Sequence, residues 1–326
     1  MNKLKLTLAL SLYDRTVPFF DGTVSSPQSI ELTVLQVGQS IALRDGGDRH
    51  ERMINHSEFD VCEVSLSSYL MARSRGMPLT AVPVFPRRLF SQSQMYVNVS
   101  AGIEKPEDLI GRKVGLSSFQ TTLSVLAKGD LQSEYGVPWQ KIKWFLNRDE
   151  TLEFSPKEGT SLQKIGEGKK MGKMLEDGEI DALFMPHPPK SITQGSDKVK
   201  RLFKNAKEEE RRYFRKNGFY PIMHILALKQ DLVEREPWVA GTVFKLFEEA
   251  KKICSDYYDD PNWSQLAWGR HGYEEERDLL GRDVWPSGVS KNRANLERFI
   301  GYSLDQGLIK KEVNVDDLFA ETVRNT

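Results

Sequence analysis

Two short stretches of this 326-residue chain place hydroxyl side chains where a strand runs into a helix. The first is Phe59-Asp-Val-Cys-Glu-Val-Ser-Leu-Ser-Ser-Tyr-Leu70, with Ser65, Ser67 and Ser68 at the junction. The second is Ser117-Ser-Phe-Gln-Thr-Thr122, with Ser118, Thr121 and Thr122. The first turn of a helix exposes unpaired N–H groups and the positive end of its dipole. Either junction therefore suits a carboxylate or phosphate, and ordinary capping by Ser and Thr is compatible with that role. Arg15, Arg87, Arg88 and Arg148 each follow a strand end, where a guanidinium can grip a carboxylate at two points. An exposed surface arginine is the plain alternative for each. Arg87 and Arg88 are adjacent and point opposite ways, so only one of them is expected at a site.

Two side chains could move protons. His224 lies on the apolar strand 219–228, and an imidazole with an ordinary pKa of ~6.5 suits acid–base work near neutrality. A core histidine bonded to the backbone is the open alternative. Glu63 is an acidic side chain on a buried strand, which is costly unless it is paired or protonated. It could donate a proton, or it could sit in a structural ion pair with Arg15 or Arg88. His187, flanked by Pro186 and Pro188, either contacts a ligand or stiffens a hinge. His50, His56 and His271 lie in polar surroundings and read as surface residues.

These residues need elements to hold them. Leucines at 4, 6, 8, 10 and 12 alternate with other residues, the period of a strand. Further strands are expected at 29–37, 59–64, 79–85, 94–99, 114–116, 142–145 and 180–185. Helices are expected over 41–56, from the first hydroxyl turn to about 75, over 122–135, 171–177, 237–258 and 292–306. The segment 155–170 reads as a loop and 198–216 as a solvated helical face. Alternating strands and helices imply parallel sheets covered by helices. The repeated strand, hydroxyl turn and helix suggest two such sheets, with ligands at the carboxyl ends of their strands.

Composition narrows the class. Hydrophobic residues make up 39% and charged residues 28%, and 46 basic side chains balance 46 acidic ones. That is a globular protein without the basic excess of a nucleic-acid binder. No apolar run reaches the ~18 residues of a membrane helix. The polar Tyr13-Asp-Arg15 after the leucines argues for a strand rather than a signal peptide, hence a cytoplasmic protein. Cys62 and Cys254 are far apart and read as reduced buried thiols. The five histidines lack metal-ligand spacing, and no glycine-rich nucleotide loop occurs, so neither metal nor nucleotide is expected.

Several segments, in order along nearly the whole chain, carry a resemblance: Tyr13-Asp-Arg-Thr16, the Phe59–Tyr69 stretch, Val84-Phe-Pro-Arg-Arg88, Gly111-Arg-Lys-Val-Gly115, Gly178-Glu-Ile-Asp-Ala182, Phe219-Tyr-Pro-Ile-Met-His224, Trp285-Pro286 and Asn292-Arg293. With them the chain resembles the type II periplasmic-binding-protein architecture and, within it, the 4,5-dihydroxyphthalate decarboxylase family. The resemblance implies a two-lobed α/β fold, with 1–91 and 223–326 in one lobe and 92–222 in the other. It implies a cleft between lobes for a small aromatic carboxylate, no organic cofactor and no nucleic-acid or membrane partner; a homo-oligomer stays open.

It also implies decarboxylation by protonation of a ring carbon, with a hydroxyl para to the leaving carboxylate feeding in electrons. His224 is then the first choice of proton donor and Glu63 the second. The arginines and hydroxyls, with His187, would hold the substrate. The alternative on the same fold is a solute-binding protein of an uptake system, or a cytoplasmic small-molecule sensor.

Overall fold

The computed structural model describes residues 3–38, 48–166 and 168–326. They fall into two units: Met1–Arg88 with His224–Leu296 and Val313–Thr326, and Leu89–Met223 with Glu297–Glu312. The membership of 297–312 differs from the sequence reading, which kept them in the first lobe. Their side chains explain the difference. Tyr302 packs on Gly129 and bonds Asp130, and Asp305 accepts from Trp139 Nε1 at 2.8 Å, all within the second unit.

The first unit is built on strands β1 (Leu4–Leu10), β2 (Ile30–Gln36), β3 (Val61–Ser65) and β4 (Leu79–Val82). The second supplies β5 (Met95–Asn98), β6 (Lys113–Leu116), β7 (Lys143–Leu146), β8 (Ser161–Lys164), β9 (Ala182–Phe184) and β10 (Val199–Arg201). The chain then returns to the first unit as β11 (His224–Lys229).

The first sheet has the order β2-β1-β3-β11-β4. β1 runs parallel to β2 and β3, and the alternating leucines put Leu6, Leu8 and Leu10 in the core. Each such side chain contributes ~1.5–3 kcal/mol on burial. The sheet is mixed rather than all-parallel, because β11 runs against both β3 and β4. This antiparallel entry sets His224, the first residue of β11, opposite Ser65, the last of β3. His224 therefore stands at the carboxyl end of the parallel strands, where ligands gather in such sheets.

Two helices flank that end. Asp48 caps the helix Arg49–His56, accepting from His50 N at 2.9 Å and Glu51 N at 3.4 Å. Of the helix expected over 41–56, residues 41–47 lie outside the described ones. The helix Leu66–Ser74 follows β3 directly.

The second sheet has the order β10-β5-β9-β6-β7-β8. β6 is parallel to β7 and β9, β7 to β8, and β5 is antiparallel to β9 and β10. β8 and β10 were not expected. β8 is an edge strand, Ser-Leu-Gln-Lys, that buries no side chain, and β10 is three residues in a charged stretch. The helix Thr122–Tyr135 ends at Gly136, whose φ of +67° is the left-handed C-cap that glycine adopts without strain. Among the described residues no helix is long and apolar enough to cross a membrane.

Candidate active site

The chemistry of the first unit gathers around one buried carboxylate. Glu63, in the middle of β3, is fully buried. His224 Nδ1 lies 2.5 Å from its Oε1. The register explains the contact: Glu63 and Ser65 share a face of β3, and His224 faces Ser65, so His224 and Glu63 are diagonal neighbours across the pair. Tyr13, just beyond β1, donates its hydroxyl to the same Oε1 at 3.0 Å, and Ser11 N donates to Oε2 at 2.9 Å. From the covering helix, Arg49 brings Nη2 to 2.9 Å of Oε1. Its Nε donates to the Glu63 carbonyl at 2.9 Å and its Nη1 to the Val37 carbonyl at 3.0 Å.

These partners decide the protonation states. Burial would raise Glu63, but the Arg49 charge and the bonds from His224 and Ser11 prevail and hold it well below the usual carboxylate range. The sequence reading of Glu63 as a proton donor needed the protonated acid; the surroundings favour the anion. An anion can only accept, so the hydrogen between the two residues sits on His224 Nδ1. Burial pushes His224 down to about 4, against the upward pull of Glu63 and with the Arg87 and Arg49 charges adding to the fall. Burial and the Glu63 charge push the Tyr13 phenol up to about 12. The result is a neutral imidazole backed by a carboxylate, with Nε2 as the nitrogen left for a ligand.

His50 stands beside this pair. Its ring centroid is 4.9 Å from that of His224 at 65°, and its Nδ1 accepts the Ser65 N–H at 2.9 Å. Ser65 Oγ in turn caps the helix after β3, 3.5 Å from Ser68 N. Ser67 and Ser68 are both buried. The first hydroxyl turn thus ties a second histidine to the site.

The arginines separate clearly. Arg88 is buried, with Nη2 donating to Asn292 Oδ1 at 2.5 Å and to the Pro286 carbonyl at 2.8 Å. Arg15 donates through Nε and Nη2 to the Pro86 carbonyl, pairs with Asp14, and lies between the rings of Tyr13 and Trp285, 4.3 Å and 3.7 Å from their centroids. Neither pairs with Glu63; Arg49 does. Arg87 is different. It is half-buried, and among the described residues its guanidinium has no hydrogen-bond or ion-pair partner. Its charge nevertheless acts on both His224 and Tyr13, and its carbonyl accepts His224 N at 3.2 Å. Of the adjacent pair, Arg87 is the cation left over beside the imidazole.

The second unit holds the other expected residues. Thr121 caps the helix Thr122–Tyr135, accepting from Ser124 N at 3.4 Å, and Ser118 and Thr122 are buried. The N–H groups of Phe119 and Gln120 already donate to Glu150, at 2.6 Å and 3.1 Å. The protein's own carboxylate thus occupies two donors of this turn. Beneath it, buried Lys128 donates to the Phe119 carbonyl at 2.9 Å. Arg148 and His187 are exposed on this unit. These five residues lie in the other unit from the Glu63 cluster.

Sequence reasoning missed Arg49, His50 and Tyr13. His50 and Arg49 sit at the start of a helix just after Asp48, a capping signal that could have placed them one turn from the sheet. His56 and His271 are exposed, as expected. Both cysteines are free and buried, and no His, Cys, Asp and Glu cluster suited to a metal occurs among the described residues.

Known proteins bear on the chain as a whole. Residues 39–144 match the sequence model of the NMT1/THI5-like family. A 4,5-dihydroxyphthalate decarboxylase of Comamonas testosteroni is 32% identical, over 98% of this chain and 97% of that protein. One of Pseudomonas putida is 31% identical over 63% of this chain and 79% of that protein. Among solved structures, the periplasmic aliphatic sulphonate binding protein SsuA of Escherichia coli superposes with a TM-score of 0.56 at 13% identity, covering 98% of this chain and 92% of that one. The desulfurization enzyme DSZB does so with a TM-score of 0.53 at 13% identity, covering 98% and 96%. The two structures share the fold, the α/β architecture of type II periplasmic binding proteins. The sequence relatives share more, and by them this chain belongs to the 4,5-dihydroxyphthalate decarboxylase family.

Proposed function

We propose that the protein is a cofactor-independent cytoplasmic carboxy-lyase that converts 4,5-dihydroxyphthalate, or a close hydroxylated aromatic dicarboxylate, to protocatechuate and carbon dioxide. The observation that carries the reading is the Glu63–His224 pair with the unpartnered Arg87 beside it. Arg87 receives a substrate carboxylate as a two-point ion pair. His224, in its imidazolium form and steadied by Glu63, gives the Nε2 proton to the ring carbon that bears the leaving carboxylate. The new C–H bond forms as N–H breaks, and the para hydroxyl feeds electrons into the ring. The C–C bond to the carboxylate then breaks, its electron pair restores aromaticity, and carbon dioxide leaves. A positioned acid of this kind contributes ~10²–10⁴-fold.

The test is direct. Purified protein is incubated with 4,5-dihydroxyphthalate, and carbon dioxide and protocatechuate are followed. Turnover without added metal or coenzyme is expected. Absence of turnover, together with tight binding of an unrelated solute, would sink the enzyme reading in favour of a binding protein.

A further inference from the structure

The proposed reaction consumes one proton per turnover, and the site without ligand does not hold it. Among the described residues, the charged or titratable groups facing His224 come from four segments. Glu63 comes from β3, Arg49 and His50 from the helix above it, Tyr13 from the end of β1, and Arg87 from the segment after β4. Glu63 is an anion and the two arginines are cations, so with His224, His50 and Tyr13 neutral these described groups sum to one net positive charge. Protonating His224 would raise that to two in a buried setting, which low dielectric makes costly. His50 offers no easier store, because its Nδ1 lone pair is taken by the Ser65 N–H. Tyr13 gives its hydrogen to Glu63.

A dicarboxylate changes this balance. It brings two negative charges, and the guanidinium open to receive one of them is that of Arg87, which has no ion-pair partner among the described residues. Once Arg87 is neutralised, its repulsion of the imidazole ends and a second carboxylate adds attraction. The cluster then carries one net negative charge, and one proton on His224 returns it to zero.

We propose that an aromatic dicarboxylate binding at Arg87 drives His224 to take up one proton from solvent, so that the catalytic acid is made only in the complex. This rests on the decarboxylase reading and adds the moment at which the consumed proton enters. In the step, solvent supplies the proton, the Nε2 lone pair forms the N–H bond, and Glu63 keeps its contact with Nδ1.

Phthalate is the probe, since it carries the two adjacent carboxylates but lacks the ring hydroxyls that permit reaction. Its binding is measured by titration calorimetry near pH 7.5 in buffers of different ionisation enthalpy. The slope of observed against buffer enthalpy counts protons. The expected count is about one for the wild-type protein and about zero for His224→Gln with phthalate still bound. A wild-type count near zero overturns the proposal, as does a count near one that persists in His224→Gln. Failure of phthalate to bind a preparation that turns over 4,5-dihydroxyphthalate overturns it too, while leaving the decarboxylase reading intact. The wild-type count decides even if the variant does not fold. Loss of the activity reading shows separately, as absence of turnover.

Discussion

His224 Nδ1 lies 2.5 Å from Glu63 Oε1, in a bond between the first residue of one strand and the middle of its antiparallel neighbour. A histidine bonded to a buried carboxylate has a fixed tautomer and a cation ready to be stabilised. Glu63→Gln keeps the shape and removes the charge. Turnover of 4,5-dihydroxyphthalate is expected to fall ~10²–10⁴-fold, with substrate affinity far less affected. Steady-state kinetics check this, and a variant within a few-fold of wild type would remove the pair from the mechanism.

Arg87 and Arg88 give a matched contrast. Arg87→Gln removes a cation that has no hydrogen-bond or ion-pair partner among the described residues, so KM should rise while folding stability stays near wild type. A hydrogen bond to a charged group contributes ~1.5–3 kcal/mol, or roughly 10- to 150-fold in affinity. Arg88→Gln breaks bonds to Asn292 and Pro286 in the core. It should lower stability by a similar ~1.5–3 kcal/mol and leave KM unchanged. Kinetics and denaturant unfolding read the two effects side by side, and a reversed pattern would reassign the carboxylate anchor.

The pH dependence of stability has two opposed parts. Glu63 is held below the usual carboxylate range, so its contribution is present above ~4.3 and fades as pH falls through its lower folded value. His224, lowered to about 4 from 6.5, acts in the same sense. Its contribution is complete above 6.5 and is lost as pH falls toward 4. Asp130 in the second unit is the reverse. Burial pushes it up to about 7, against its bonds from Ser91 and Tyr302, so it favours folding at low pH and loses that contribution as pH rises from ~3.9 to about 7. The Asp130 and His224 windows overlap and oppose, so Asp130→Asn should remove the loss between pH ~3.9 and about 7 and let stability climb more steeply with pH across that range. Thermal melts across pH would show this, and an unaltered slope between pH ~4 and about 7 would count against it.

Gly129 allows the close approach that joins 297–312 to the second unit. A Cβ built there would lie 2.2 Å from Tyr302 Cδ2. Gly129→Ala is expected to cost ~1–3 kcal/mol, as overpacking does, despite alanine's better helix propensity. Unfolding midpoints check it, and a stabilised variant would mean that the ring moves aside without penalty.

The strand-end chemistry of the first unit was legible because apolar alternation marks β1 and a Ser-rich junction marks the end of β3. Glu63 stood out as an acid among buried neighbours, and His224 as an imidazole on an apolar strand. Their contact was not legible: it depends on β11 running antiparallel, and alternation says which residues face inward without saying which way a strand runs. Arg49 and His50 were hidden for a related reason. They are polar residues in a polar stretch, and only the packing of their helix onto β3 turns them inward. The second hydroxyl turn misled in its own way. Its pattern announces free amides, and the residue that takes them, Glu150, lies 30 positions away in a segment with no distinctive spacing.

The separation of the two central residues along the chain has a consequence for synthesis. Glu63 and His224 are 161 positions apart, and the whole second sheet is made between them. A nascent chain that has emerged only through β4 has every strand of the first sheet except the one that carries the imidazole. Such long-range pairings close late, because the loop entropy must be overcome before the contact rewards it. Prematurely terminated or clipped products ending before β11 lack His224 and are expected to be inert in the 4,5-dihydroxyphthalate assay. Activity in a cell extract then reports completed translation and completed folding together, not the amount of polypeptide made.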